Sequence, residues 1–279
     1  MCHAEYSYRK SALTLALSFL LLAVSAFPGQ ALSAKVLTSK EELASAINKA
    51  GRQRMLSQRM LKAYCQVILR VRDDDAKLQL SKAVNLFDQQ LNWLKSKSPT
   101  PGIKDQLAKV EKTWARYKAI VTGPVNREGA EKLIPLSDQL LAESHQVVLQ
   151  FQEIAGGTSA RLVNISGRQR MLSQRVAKYF MLGQLGFNDA SLTNEMKKTM
   201  REFDKAHKEL LASKKNTLDI NVALKKVDIQ WQLFKHSATK KDAISNSIFV
   251  ALTSEKVLDL MNEITGMYEV VMASDSAAQ

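Results

Sequence analysis

The chain of 279 residues has few of the residues that break helices or staple small folds: five prolines, eleven glycines and two cysteines. So few breakers argue against a turn-dense β architecture, and a sequence dominated by Leu, Ala, Lys, Gln and Ser favours helix over sheet. Cys2 falls in the apparent leader, so its removal leaves Cys65 alone and excludes an intrachain disulfide. Aromatics make up 6% and are not interleaved with the basic residues, which argues against a nucleic-acid surface. His145, His207 and His236 are isolated and lack metal-ligand spacing. No nucleophile elbow, phosphate loop or Cys-x-x-Cys pair occurs either. The sequence is therefore read as that of a non-enzyme, with no metal and no cofactor implied.

Positive charge is abundant: 40 Lys and Arg against 27 Asp and Glu give a formal net charge of +13. The bases are mostly dispersed at helical spacing, as on solvated faces. At the N-terminus, Arg9 and Lys10 precede the apolar run Ser11 to Phe27, followed by Pro28-Gly29 and small residues to Ala34. This pattern predicts a secretory signal peptide over 1–34, with an uncleaved membrane anchor as the alternative. The expected location is periplasmic or secreted.

The strongest signal is an internal repeat. Gly51-Arg52-Gln53-Arg54-Met55-Leu56-Ser57-Gln58-Arg59 recurs without change as Gly167 to Arg175, at an offset of 116. The same offset pairs Phe87-Asp88 with Phe203-Asp204, and an offset of 117 pairs Trp114 with Trp231, Lys118 with Lys235 and Leu141 with Leu258. Two modules are expected, 35–156 and 157–279. Apolar spacing and breakers predict four helices in each: about 40–72, on to 97, on to 122 and 128–154, then 159–185, 190–212, 218–236 and 245–272. In this reading the acidic run Asp73 to Asp75 closes the first helix. The fold class expected is all-α, two tandem antiparallel four-helix bundles related by a pseudo-twofold.

Two windows concentrate cations. Asn48 to Lys62 carries five and Asn164 to Lys178 four, and neither contains Asp or Glu. On a helix, Ile47, Gly51, Arg54, Gln58 and Leu61 share a stripe that is mostly apolar or small. Gly51 and Gly167 leave room one turn before Arg54 and Arg170 for another helix to approach. If the two helices cross there, the guanidiniums face each other and a planar oxyanion can take paired N–H donors from both forks. The competing reading has these arginines in structural ion pairs with acids on neighbouring helices, such as Glu42, Asp88, Asp138 or Asp204.

The motif resembles the signature of the PilJ-type N-terminal sensory domain of type IV pilus methyl-accepting chemotaxis transducers, and the P-box of nitrate/nitrite sensor kinases. The resemblance implies a four-helix sensory module in each half. It also implies a ligand site at a dimer interface, formed by Gly51, Arg54 and Met55 with Gly167, Arg170 and Met171. Arg52, Arg59, Arg168 and Arg175 are further candidate anion contacts, and Arg52 and Arg168 depart from the nitrate-kinase pattern. The function this implies is binding of nitrate, nitrite or a similar small oxyanion by an exported module without its own output domain. The expected partners are a membrane receptor or a pilus or envelope protein, with a homodimer also admitted. The alternative function is a structural or accessory module of a pilus or chemosensory envelope system.

Overall fold

The computed structural model describes residues 37, 39–187, 190–240 and 244–275, so the expected signal segment lies outside the described residues. Among them run eight helices: α1 (Lys40–Leu69), α2 (Asp73–Ser96), α3 (Pro101–Val121), α4 (Arg127–Ala155), α5 (Gly157–Gln184), α6 (Ala190–Leu211), α7 (Leu218–Thr239) and α8 (Ile244–Ser274). No strand occurs among the described residues. The fold is all-α, as the repeat and its apolar spacing predict.

Local chemistry sets the helix ends. Ser39, Thr100, Asn126 and Thr217 cap α1, α3, α4 and α7 by accepting from a backbone N–H inside the first turn. Pro101 opens α3, where its missing N–H costs nothing. One boundary differs from expectation. Asp73, Asp74 and Asp75 form the first turn of α2 instead of closing α1, which ends at Arg70 in the left-handed region. Carboxylates are stabilised at the positive N-terminal end of a helix, so the acidic run reads better as a start than as a stop.

In each half the first helix occupies the centre. α1 packs on α2, α4 and α5, and α5 packs on α6, α8 and α1, so the two motif helices face each other. Both are buried on nearly every side, including Gln53, Ser57, Gln58 and Lys62 on α1 and their equivalents Gln169, Ser173, Gln174 and Lys178 on α5. An amphipathic reading of α1 therefore understates its burial. Gly156 alone separates α4 from α5, and its φ of +64° followed by +73° at Gly157 is backbone that glycine adopts without strain.

The core follows the duplication. Phe87 stacks on Trp114 with centroids 4.1 Å apart, and Phe203 stacks on Trp231 at 3.7 Å. Trp114 and Trp231 each donate 2.7 Å bonds to Asp88 and Asp204, which also receive Lys118 and Lys235. Cys65 is buried and free, and burial pushes its thiol up to about 12, the behaviour of a small inert hydrophobe. No described helix is long and apolar enough to cross a membrane.

Candidate functional site

Most of the repeated motif clamps its own bundle together. Gln53 Nε2 donates to the Phe87 carbonyl of α2 at 3.2 Å, and Gln169 Nε2 to that of Phe203 on α6 at 3.1 Å. Gln58 and Gln174 donate to the carbonyls of Ser137 on α4 and Ser254 on α8, at 3.1 and 3.0 Å. Ser57 and Ser173 bond back to the carbonyls of Arg54 and Arg170. Met55 and Met171 are buried in the hydrophobic core. These contacts hold α1 and α5 at fixed rotation, and that rotation aims the two central arginines.

Arg54 and Arg170 are 1% and 0% exposed. A Cβ built on Gly51 would stand 3.2 Å from Nη2 of Arg54 and 3.6 Å from Nη2 of Arg170. One built on Gly167 would stand 2.9 Å from Nη2 of Arg170 and 3.8 Å from Nη2 of Arg54. Both guanidiniums thus converge on the space that the two glycines leave empty.

The arginine partners obey the pseudo-twofold. Nη1 of Arg54 lies 3.0 Å from Nδ1 of His145 on α4, while Nη1 of Arg170 donates to Oδ1 of Asn262 on α8 at 2.9 Å. Nη2 of each crosses to the other half. Arg54 donates to the Asn164 carbonyl at 3.3 Å, and Arg170 to the Asn48 carbonyl at 3.4 Å and its Oδ1 at 2.7 Å. Since Arg54 can only donate, His145 accepts through Nδ1 and carries its proton on Nε2. Nε of Arg54 meets no acceptor.

Every acceptor here is neutral. None of the ion pairs among the described residues involves Arg54 or Arg170. Of the carboxylates that spacing offered as partners, Asp88 and Asp204 hold Lys118 and Lys235, and Asp138 holds Lys178. Burial, reinforced by the Arg168 charge, pulls the Arg54 guanidinium down to about 9. Burial, then Arg52 and Arg54, drive Arg170 well below its usual range, with Glu269 opposing. A guanidinium does not give up its proton in proteins, so these shifts register an unmet demand for negative charge. Burial, then Arg54 and Arg168, pull His145 down to about 4, so it stays neutral at pH 7.

The halves are not identical. Asn48 Nδ2 donates to Glu269 at 2.6 Å, and Asn164 Nδ2 donates to Gln152 at 2.6 Å, so one flank holds a carboxyl where the other holds an amide. Burial raises Glu269 above the usual carboxylate range, against Asn48, Lys49, Arg170 and Arg52.

Of the remaining motif arginines, Arg52 and Arg168 act on the centre through their charge, and Arg168 also pairs with Glu202 at 2.7 Å. Arg59 pairs with Glu255, and Arg175 contacts Glu195 at 3.4 Å. The structure brings neither Arg59 nor Arg175 to the arginine pair.

Spacing does not single out two fully buried lysines. Lys62 reaches Glu255 of the second half at 2.6 Å, and Lys178 reaches Asp138 of the first at 3.0 Å. Burial lowers both, Lys178 to about 8. Their identity at the repeat offset was the one available signal. These crossed pairs tie α1 to α8 and α5 to α4, and they carry carboxylates that the arginine pair lacks.

The model of the family described as "Type IV pili methyl-accepting chemotaxis transducer N-term" matches residues 36–138 and again 157–252, one match in each half. No curated protein and no solved structure matches the chain.

Proposed function

The chain belongs to the type IV pili methyl-accepting chemotaxis transducer N-terminal family, and from that premise we propose that it is a sensory module holding a small oxyanion, nitrate or nitrite in kind, between Arg54 and Arg170. The observation that carries this reading is the convergence of two buried guanidiniums on neutral acceptors, without a carboxylate of their own. In a water-poor interior, two such charges repel unless an anion lies between them, and planar forks suit a planar oxyanion. Asn48, Asn164, Asn262 and His145 supply oxygen or nitrogen acceptors that hold the forks in place. The family's sensory character speaks for a non-catalytic role. The proposal includes export, and presentation of the ligand state to a membrane receptor or a pilus component.

A thermal-shift series at constant ionic strength tests the reading, with nitrate, nitrite, chloride and sulfate against the protein and its Arg54→Met/Arg170→Met variant. A ligand at about a hundred times its Kd adds roughly 2.7 kcal/mol to the folded state. Nitrate or nitrite should raise Tm in the parent and leave the variant unmoved. In a purely structural or accessory role, no anion shifts the parent and the variant melts lower. That outcome would end the oxyanion reading.

A further inference from the structure

The duplication supplies an internal control for the surface. Positions 117 apart are equivalent in the third and fourth helices, as Trp114 with Trp231 and Ser137 with Ser254 show through matching contacts. On α7, Leu218, Val222, Ile229 and Leu233 stand exposed, Leu218 by 79% and Ile229 by 62%. The equivalent exposed places on α3 hold Pro101, Asp105, Lys112 and Arg116. One half of the protein folds without aliphatic side chains at these places, so those of the other half are not there to build the bundle.

On α7 the four aliphatic residues fall within about 60° of arc and run for roughly 22 Å, opposite the buried Leu224, Val227 and Trp231. Lys225 and Lys226 border this stripe, each about 50° from its middle, while Asp219 and Asp228 lie about 70° and 110° away. The charge beside it on α6 is sorted in the same sense. Glu195, Glu202 and Glu209 turn to Arg175, Arg168 and Arg161 of α5, and Asp204 takes Trp231 and Lys235 of α7. Asp204 thus marks the flank of α6 that faces α7, and the exposed Lys197, Lys208 and Arg201 follow it within about 60°. None of Lys197, Arg201, Lys208, Lys225 and Lys226 forms an ion pair among the described residues.

We propose that the outer face of α7, with the cations that border it, docks on the surface of an anionic phospholipid bilayer. A straight aliphatic stripe one helix wide fits a plane, and its lysines reach phosphates while their stems lie along the apolar boundary. Bases left without acids supply the attraction to negative headgroups. No described helix can cross a bilayer, so the contact is one of lying on the membrane. A protein partner suits the face less well, because protein interfaces are poor in lysine and anchored by aromatic residues or arginine. A second copy laid on α7 in full overlap would set Lys225 and Lys226 against their own equivalents. The proposal is independent of what binds at the arginine pair.

An environment-sensitive fluorophore on Val222→Cys, in the full chain with Cys2→Ser, tests it, since buried Cys65 does not label in the folded protein. The dye reads α7 alone, whatever any other segment of the chain does with lipid. Vesicles containing phosphatidylglycerol should move its emission to the blue, and vesicles of phosphatidylcholine alone should do so much less. The same dye on Lys112→Cys, on α3, should stay water-like throughout. Ile229→Lys with Leu233→Arg copies what α3 already carries, so it should keep its helical circular dichroism and lose the response. Lys225→Glu with Lys226→Glu should raise the lipid needed for half the shift by about 25-fold or more, each cation near an anionic surface being worth about fivefold. A Val222 dye that stays water-like to about 1 mM phosphatidylglycerol, ten times what half-binds a single acyl chain, overturns the proposal. So does a shift equal on neutral lipid, one shared by Lys112, or a dye already shielded without lipid, as in a dimer through α7.

Discussion

His145 and Asn262 occupy equivalent places on α4 and α8, and each faces Nη1 of the motif arginine in its own half, at 3.0 and 2.9 Å. One chemical role, a neutral acceptor for a buried guanidinium, is filled by an imidazole in one copy and an amide in the other. Putting a charge at either place gives the arginines a counterion of their own. His145→Glu is expected to raise Tm, with a gain of about 1–3 kcal/mol from a charge-assisted bond. The same change should abolish any nitrate-dependent shift. A variant that is more stable and still responds to nitrate would separate the arginine pair from ligand binding.

Gly167→Ala tests the notch. Its Cβ would stand 2.9 Å from the Arg170 guanidinium, closer than the 3.2 Å at Gly51 to that of Arg54. Alanine gains about 1 kcal/mol of helix propensity over glycine, offset by displacing the fork. The expected result is a Tm within a few degrees of the parent, with the anion response lost, and a smaller loss for Gly51→Ala. Calorimetric titration of both variants with nitrate measures it.

Gly129 is tight for a different reason. A Cβ there would overlap the Tyr64 hydroxyl, with the ring carbon at 3.0 Å, and that hydroxyl is held by the Pro124 carbonyl and the Asn126 N–H. Gly129→Ala should destabilise the protein by about 1–3 kcal/mol, the range for overpacking. Tyr64→Phe in the same background should recover part of the loss, read as urea midpoints.

Acid should unlock the crossed pairs. Lys62 and Arg59 hold Glu255 down to about 2, overcoming the opposing effect of burial. A carboxylate depressed in the folded state stabilises it above the unfolded pKa near 4.3, and the gain disappears as pH falls towards 2. Glu255 alone is expected to contribute on the order of 3 kcal/mol to the acid limb between pH 5 and 2. In Glu255→Gln that limb should be shallower, while stability at pH 7 drops by about 3–5 kcal/mol because Lys62 is left buried and unpaired. Urea melts at intervals from pH 7 to 2 would show both effects.

Much of the architecture was legible in the primary structure, for reasons particular residues make plain. Pro101, Gly123-Pro124 and Gly156-Gly157 punctuate the first half, and the observed helix ends lie within a few residues of them. The repeated motif marked Arg54 and Arg170 because guanidiniums on a small-residue stripe need a partner. Their actual acceptors were not legible. His145 looks isolated along the chain, and Asn48, Asn164 and Asn262 carry no pattern, since each becomes an acceptor only when separate helices pack. Lys62 and Lys178 were hidden for the same reason: a lysine at helical spacing reads as solvated until an acid from the opposite half buries it. Asp73 to Asp75 misled because an acidic run beside a break fits either helix until the backbone assigns it.

The single residue between α4 and α5 carries an evolutionary consequence. In a receptor assembled from two copies of one polypeptide, every codon change is imposed on both sides of the axis at once. Fusing the copies through Gly156 lifts that constraint, so histidine could settle opposite asparagine, and glutamate opposite glutamine, without a matching change across the axis. The centre of this molecule has a left and a right, and a guest seated there would meet different chemistry at each end.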